Sequence, residues 1–131
     1  MTKTRIPTLA SRGLLGRIGN QKTTREYRNK EEIYSQGDAS NAMFYVESGH
    51  VKLTVVSKGG RKAVLAILGK GDFFGENCLL KHSLRTTTAI SLQRSTIDCV
   101  EKATLMRIIR REPAFSTLML LDLLSRIGRI E

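Results

Sequence analysis

Cysteine is scarce: only Cys78 and Cys99 occur, and they form no C-x-x-C pair, so neither a disulfide framework nor a zinc or iron–sulfur site is indicated. His50 and His82 lack companion ligands at metal spacing, and no metal is expected. Long apolar runs are missing as well, and residues 1–7 contain no apolar signal region. These absences predict a reducing, cytoplasmic setting, with no export and no membrane partner. Catalytic pairs are also lacking. No nucleophile stands beside a base and no second carboxylate partners Glu76, so the chain is not expected to be an enzyme.

Acidic residues are rare at the N-terminus, where Lys3, Arg5, Arg12, Arg17, Lys22, Arg25, Arg28 and Lys30 face Glu26 alone. The net charge of +10 raises nucleic acid or acidic membrane as partners. Such an arm, poor in aromatics, either touches DNA phosphates through charge alone or forms a solvated, partly disordered leader.

What is present fits one domain, since 131 residues bury a real core but not two. Residues 1–20 mix Gly13, Gly16 and Gly19 with Leu14, Leu15 and Ile18, which allows a short helix of poor intrinsic stability. Residues 23–27 and 32–35 alternate weakly and end at the turn Gln36-Gly37-Asp38. Residues 43–46 form a compact apolar run, and residues 50–55 alternate with period two. Lys58-Gly59-Gly60-Arg61 reads as a hairpin with both glycines at positive φ. Its return strand, residues 62–68, is nearly continuous in apolar character and is expected to be covered on both faces. Residues 87–92 and 95–100 add two strands, and many short strands with glycine-rich turns predict a sandwich or barrel.

The period then becomes helical. Residues 101–112 place Leu105, Ile108 and Ile109 on one face and stop before Pro113, where a second helix begins. Its apolar positions exceed one stripe. Leu120, Leu124 and Ile127 lie at coiled-coil spacing, with Leu123, Ile127 and Ile130 in a neighbouring row, which predicts a two-fold dimer or contact with a further domain.

The chemistry concentrates in residues 71–89. Two glycines, Gly71 and Gly75, one carboxylate at Glu76, one guanidinium at Arg85 and the hydroxyls of Thr86, Thr87 and Thr88 share one loop between apolar strands. Arg85 offers a planar fork of donors to a phosphate, Gly75 lets backbone N–H groups approach, and Glu76 accepts from a sugar hydroxyl. The loop reads as a sugar-phosphate cradle.

Phe74-Gly75-Glu76, Leu79-Leu80 and Arg85-Thr86-Thr87-Thr88-Ala89, with Glu and Arg nine apart, resemble the phosphate-binding cassette of cyclic nucleotide-binding domains. Ser35-Gln36-Gly37-Asp38, Met43-Phe44-Tyr45-Val46, Gly49-His50-Val51 and Gly69-Lys70-Gly71-Asp72-Phe73 fall in the matching order. The similarity runs from about Tyr27 to Glu131. It is nearest to bacterial regulators of the catabolite activator and fumarate-nitrate regulator (Crp/Fnr) family. This resemblance implies a mainly β fold, a jelly-roll or double-stranded β-helix barrel with flanking α-helices and a C-terminal dimerisation helix. It divides the chain into a basic leader over 1–23, the barrel and its following helix over 24–112, and the start of the dimer helix over 113–131. It implies cyclic AMP as effector, or cyclic GMP. The implied ligand set is Phe74, Gly75, Glu76, Asn77, Cys78, Arg85, Thr86 and Thr87, with Leu53, Leu65 and Ala66 walling the base. The implied dimer seam is Leu120, Leu123, Leu124, Ile127 and Ile130. DNA recognition would belong to a helix-turn-helix beyond Glu131. Where the catabolite activator presents hydroxyls to the purine, this chain has Ile130 and Glu131. Two alternatives accompany this expectation: a degenerate sensor that binds no nucleotide, and a regulatory domain of an attached enzyme or channel.

Overall fold

The computed structural model describes residues 9–128. Helix α1 (Leu9–Ile18) precedes eight strands: β1 (Thr23–Tyr27), β2 (Glu32–Tyr34), β3 (Ala42–Ser48), β4 (Val51–Val56), β5 (Lys62–Leu68), β6 (Phe73–Phe74), β7 (Thr88–Ser91) and β8 (Ser95–Glu101). A 3-10 turn, Glu76–Leu79, separates β6 from β7, and helices α2 (Lys102–Arg111) and α3 (Pro113–Gly128) complete the chain. The strands form two antiparallel four-stranded sheets, ordered β1-β8-β3-β6 and β2-β7-β4-β5. This is the expected jelly roll with flanking helices, and the C-terminal helix is present.

Strand β3 is the axis of the packing. Every residue from Ala42 to Val46 is buried, yet successive side chains point to opposite faces. Phe44 and Val46 join Val51, Leu68, Phe74, Ala89 and Ile97 between the sheets. Met43 and Tyr45 join Val100, Leu105, Ile108, Phe115 and Met119 beneath the helices. The doubled phenylalanine of β6 repeats the division. Phe74 stacks on Phe44 at 5.2 Å, while Phe73 meets Tyr45 at 4.7 Å on the helical side.

Two-sided burial was expected of residues 62–68, and here the structure differs. Strand β5 is a sheet edge, and Leu65 is 51% exposed. The hairpin before it uses only Gly60 at positive φ, because the Gly60 N–H bonds the Ser57 carbonyl at 2.9 Å and closes the turn by itself.

Residues 1–8 of the leader lie outside the described residues, but its later part packs on the helical core. Leu14 and Ile18 of α1 are 1% exposed and belong to the helical core, and Gly13 lies so close to Leu118 of α3 that a Cβ there would sit 3.0 Å from its Cδ1. Helix α3 buries Phe115, Met119 and Asp122 and exposes Leu120, Leu121 and Leu124. Leu123 is half-buried, and Ile130 and the Ile127 side chain lie outside the described residues. Among the described residues, no helix is long and apolar enough to cross a membrane.

Two details tie these layers together. Asp98, fully buried on β8, accepts from Lys22 Nζ at 2.9 Å and Thr24 Oγ1 at 2.6 Å, joining β1 to β8. The first turn of α2 is fixed to the start of β3 by the Lys102 N–H, which donates to the Asn41 carbonyl at 2.8 Å.

Gly49 links β3 to β4 at φ +94°, and a Cβ there would lie 2.1 Å from Ser95 Oγ and 2.7 Å from its Cα. Gly49→Ala is therefore expected to lower stability by about 2 kcal/mol or more in urea melts. Cys78 is wholly buried, and burial pushes its thiol up to about 11 from 9.0. The folded state thus keeps its full stability below pH 9 and loses up to about 2–3 kcal/mol as pH rises toward 11. Urea melts across that interval should show this loss in the wild type relative to Cys78→Ala, which has no proton to lose.

Candidate functional site

The two limbs of the 71–89 loop are held by their surroundings before any side chain is considered. On the first limb, pairing of Phe44 with Phe74 and Tyr45 with Phe73 delivers the chain to Gly75. Gly75 turns at φ +80°, where a Cβ would be 2.7 Å from Arg85 Nη1 and 3.2 Å from Phe44 Cδ2. Both the backbone angle and the close approach therefore require glycine. On the second limb, the Arg85 N–H donates to the Asp38 carbonyl at 2.7 Å and its own carbonyl accepts from the Gly37 N–H at 2.8 Å. The turn Ser35–Asp38 is thus the splint that fixes Arg85.

The guanidinium lies inside the loop, with Arg85 only 4% exposed. Nη1 donates to the Gly75 carbonyl at 2.9 Å and to Asn77 Oδ1 at 3.2 Å, and Nη2 donates to the Ala42 carbonyl at 2.5 Å. The Tyr34 ring covers it at 4.2 Å from the ring centre, and the Phe44 ring stands at 5.5 Å. The remaining nitrogen, Nε, is buried without a hydrogen-bond partner. A buried donor on a charged group left in this state costs about 1–3 kcal/mol or more, a penalty that an anion beside it would remove.

Asn77, which the resemblance placed in the ligand set, uses its side chain to pin the two limbs together. Its Oδ1 accepts from Ser40 Oγ at 2.6 Å as well as from Arg85, and its Nδ2 donates to the Leu84 carbonyl at 2.9 Å. Ser83 Oγ donates to the Asn77 carbonyl at 2.7 Å.

These groups open onto a cavity of about 240 Å³. Residues 74–77 and 85–87 line it from the loop, and Leu53 and Ala66, paired across β4 and β5, line it from the second sheet. Glu76 and Arg85 therefore face one space, beside an apolar wall. Two expected members are elsewhere. Leu65, one residue from Ala66, points to the other face of β5 and into solvent. The Cys78 side chain belongs to the helical core, and its N–H is already engaged with the Gly75 carbonyl at 3.3 Å. Tyr34, Leu68 and Phe73 line the cavity without having been foreseen. Burial raises the Tyr34 phenol above its ordinary 10.0, so it stands as a neutral ring. Its position just before Ser35-Gln36-Gly37-Asp38, the turn bonded to Arg85, was the available signal.

Chemically, the cavity can accept an anion at Arg85 and Thr86, a hydroxyl at Glu76, and a flat apolar group against Leu53 and Ala66. Among the described residues, no three His, Cys, Asp or Glu side chains cluster to hold a metal.

Comparison with known proteins places the chain in a family. The sequence profile of the cyclic nucleotide-binding domain matches residues 24–112. The cyclic AMP receptor protein of Thermus thermophilus is 34% identical over 89 residues, covering 68% of this chain and 41% of that protein. The cGMP-dependent protein kinase of Caenorhabditis briggsae is 39% identical over 66 residues, covering 50% of this chain and 9% of the kinase. The chain thus spans less than half the length of either relative. The crystal structure of the Thermus thermophilus catabolite activator protein superposes with a TM-score of 0.77 at 27% identity, over 92% of this chain and 55% of that one. A profile that spans the barrel and its cassette, with a catabolite activator among the relatives, leads to one conclusion: this chain belongs to the cyclic nucleotide-binding domain family, with Crp-type regulators among its homologues.

Proposed function

We propose that the chain is the sensing part of a Crp/Fnr-type transcription regulator, which binds a cyclic nucleotide in the barrel and transmits occupancy to α3. The effector is cyclic AMP, with cyclic GMP as the second candidate. Arg85 and Thr86 take the cyclic phosphate, Glu76 accepts from the ribose 2′-hydroxyl, and Leu53 and Ala66 lie against the base. Residues 24–112 carry the sensing and residues from 113 onward begin the dimer helix. The role is ligand sensing rather than catalysis, in a cytoplasmic setting, with DNA recognised through a domain outside this chain. The observation that carries the reading is the buried Arg85 Nε, a cationic donor with no partner at the edge of a cavity shared with Glu76.

Transmission needs a helix whose position the ligand can bias through differential contacts. Helix α3 carries a buried face and an exposed apolar face, where Leu120 is 56% and Leu124 is 51% exposed. A second copy of α3 seated on that exposed face supplies the dimer. One observation favours a sensor that takes no nucleotide, namely the Tyr34 ring seated on the guanidinium.

Calorimetric titration with cyclic AMP and cyclic GMP tests the sensor. One nucleotide per chain should bind, and Arg85→Ala should weaken it about 10- to 100-fold. Because Arg85 also holds the loop, Glu76→Gln is the milder control and should weaken binding about 10-fold. Binding of neither nucleotide would sink the reading in favour of the degenerate sensor. Light scattering should report a dimer, and Leu120→Glu with Leu124→Glu should convert it to a monomer; a wild-type monomer at high concentration would contradict the dimer.

A further inference from the structure

Arg85 lines the cavity but is only 4% exposed, so most of its guanidinium is already enclosed by protein groups. Carbonyls and the Asn77 amide hold two of its nitrogens, and the third is buried without a hydrogen-bond partner. Of the two rings that complete the enclosure, Phe44 is fixed. It is 8% exposed, pairs on both sides within its sheet and stacks on Phe74 at 5.2 Å.

Tyr34 is placed differently. It is only half-buried, and it ends the three-residue strand β2 at the edge of its sheet. The pairing of β2 with β7 is broken by a register shift between Glu32 and Tyr34. The Tyr34 hydroxyl meets Thr87 Oγ1 at 3.5 Å, the outer limit of a hydrogen bond. The ring leans on Phe44 at 5.7 Å and Phe74 at 6.1 Å, and its firmest polar partner is the guanidinium, through the face of the ring.

Resting on Arg85 as the anion's partner, we infer that the Tyr34 ring is a resident cover on the face of the guanidinium, its contact exchanged for hydrogen bonds to a phosphate when ligand enters. The exchange makes Tyr34 a specificity-determining residue. A phosphate forms charge-assisted hydrogen bonds with a guanidinium that are stronger than its contact with a neutral ring, so a phosphate-bearing ligand displaces the ring. A neutral nucleoside offers nothing to the cation and leaves the ring in place. The ring thereby lowers affinity for every ligand but excludes those without an anion.

Two measurements on wild type, Tyr34→Phe and Tyr34→Ala test this. In calorimetry with cyclic AMP and cyclic GMP, Tyr34→Ala should bind about 2- to 30-fold tighter than wild type, and Tyr34→Phe should stay within about 2-fold of it. Phenylglyoxal modification, read by peptide mass mapping, should be slow at wild-type Arg85 and several-fold faster in Tyr34→Ala, with inorganic phosphate restoring protection. Where Tyr34→Ala fails to fold, Tyr34→Leu fills the volume without a π face and should shift both measurements in the same directions.

Nucleotide affinity in Tyr34→Ala equal to or below that of wild type overturns the inference. So does wild-type Arg85 that reacts as fast as the exposed Arg61. If no variant binds either nucleotide, the cyclic nucleotide reading fails. The exchange then stands if phosphate protects Arg85 in Tyr34→Ala, and falls if it does not.

Discussion

A guanidinium held by two backbone carbonyls is the contact around which the site is assembled. Arg85 reaches from the second limb of the loop to the Gly75 carbonyl on the first limb and to the Ala42 carbonyl on β3. Both limbs of the loop and strand β3, 43 residues from Arg85 in sequence, therefore share one cation. Burying such a charge is expensive unless its donors find acceptors, and here carbonyl dipoles and an amide do that work. The closeness of Gly75 to Nη1 belongs to the same arrangement, because any side chain at Gly75 would occupy the space that the guanidinium fills.

The barrel prepares this contact from both sides. Phe44 and Phe74 stack between the sheets and set the entry to Gly75, while the Ser35–Asp38 turn bonds the backbone of Arg85 in both directions. Asn77 adds a cross-tie between the limbs. The loop is irregular in shape but densely hydrogen-bonded, which allows a rigid scaffold to present a cation at a cavity.

Much of this was legible in the sequence. Alternation and turn residues located the main strands, Pro113 marked the junction of the two helices, and the Glu76 to Arg85 spacing located the loop. Other parts were hidden for physical reasons. Periodicity tells which side chains share a face but not which strand becomes an edge, so burial on both faces was assigned to residues 62–68 when it belongs to 42–46. The same limit placed Leu65 in the cavity, although its neighbour Ala66 is the one that faces inward. Tyr34 and Asn77 act through partners about 50 and 8 residues away in sequence respectively, contacts that exist only once the sheets have closed. Leu14 and Ile18 were read as parts of a weak helix because glycines surround them, and α3 supplies the burial that their local propensity does not.

The position of Asn41 and Ala42 has a mechanical result. Two successive peptide groups at the entry to β3 point opposite ways, so the Ala42 carbonyl accepts from the guanidinium while the Asn41 carbonyl accepts from the first N–H of α2. A rotation of that short segment cannot improve one bond without straining the other. The cavity wall and the root of the helical pair consequently meet at this short segment.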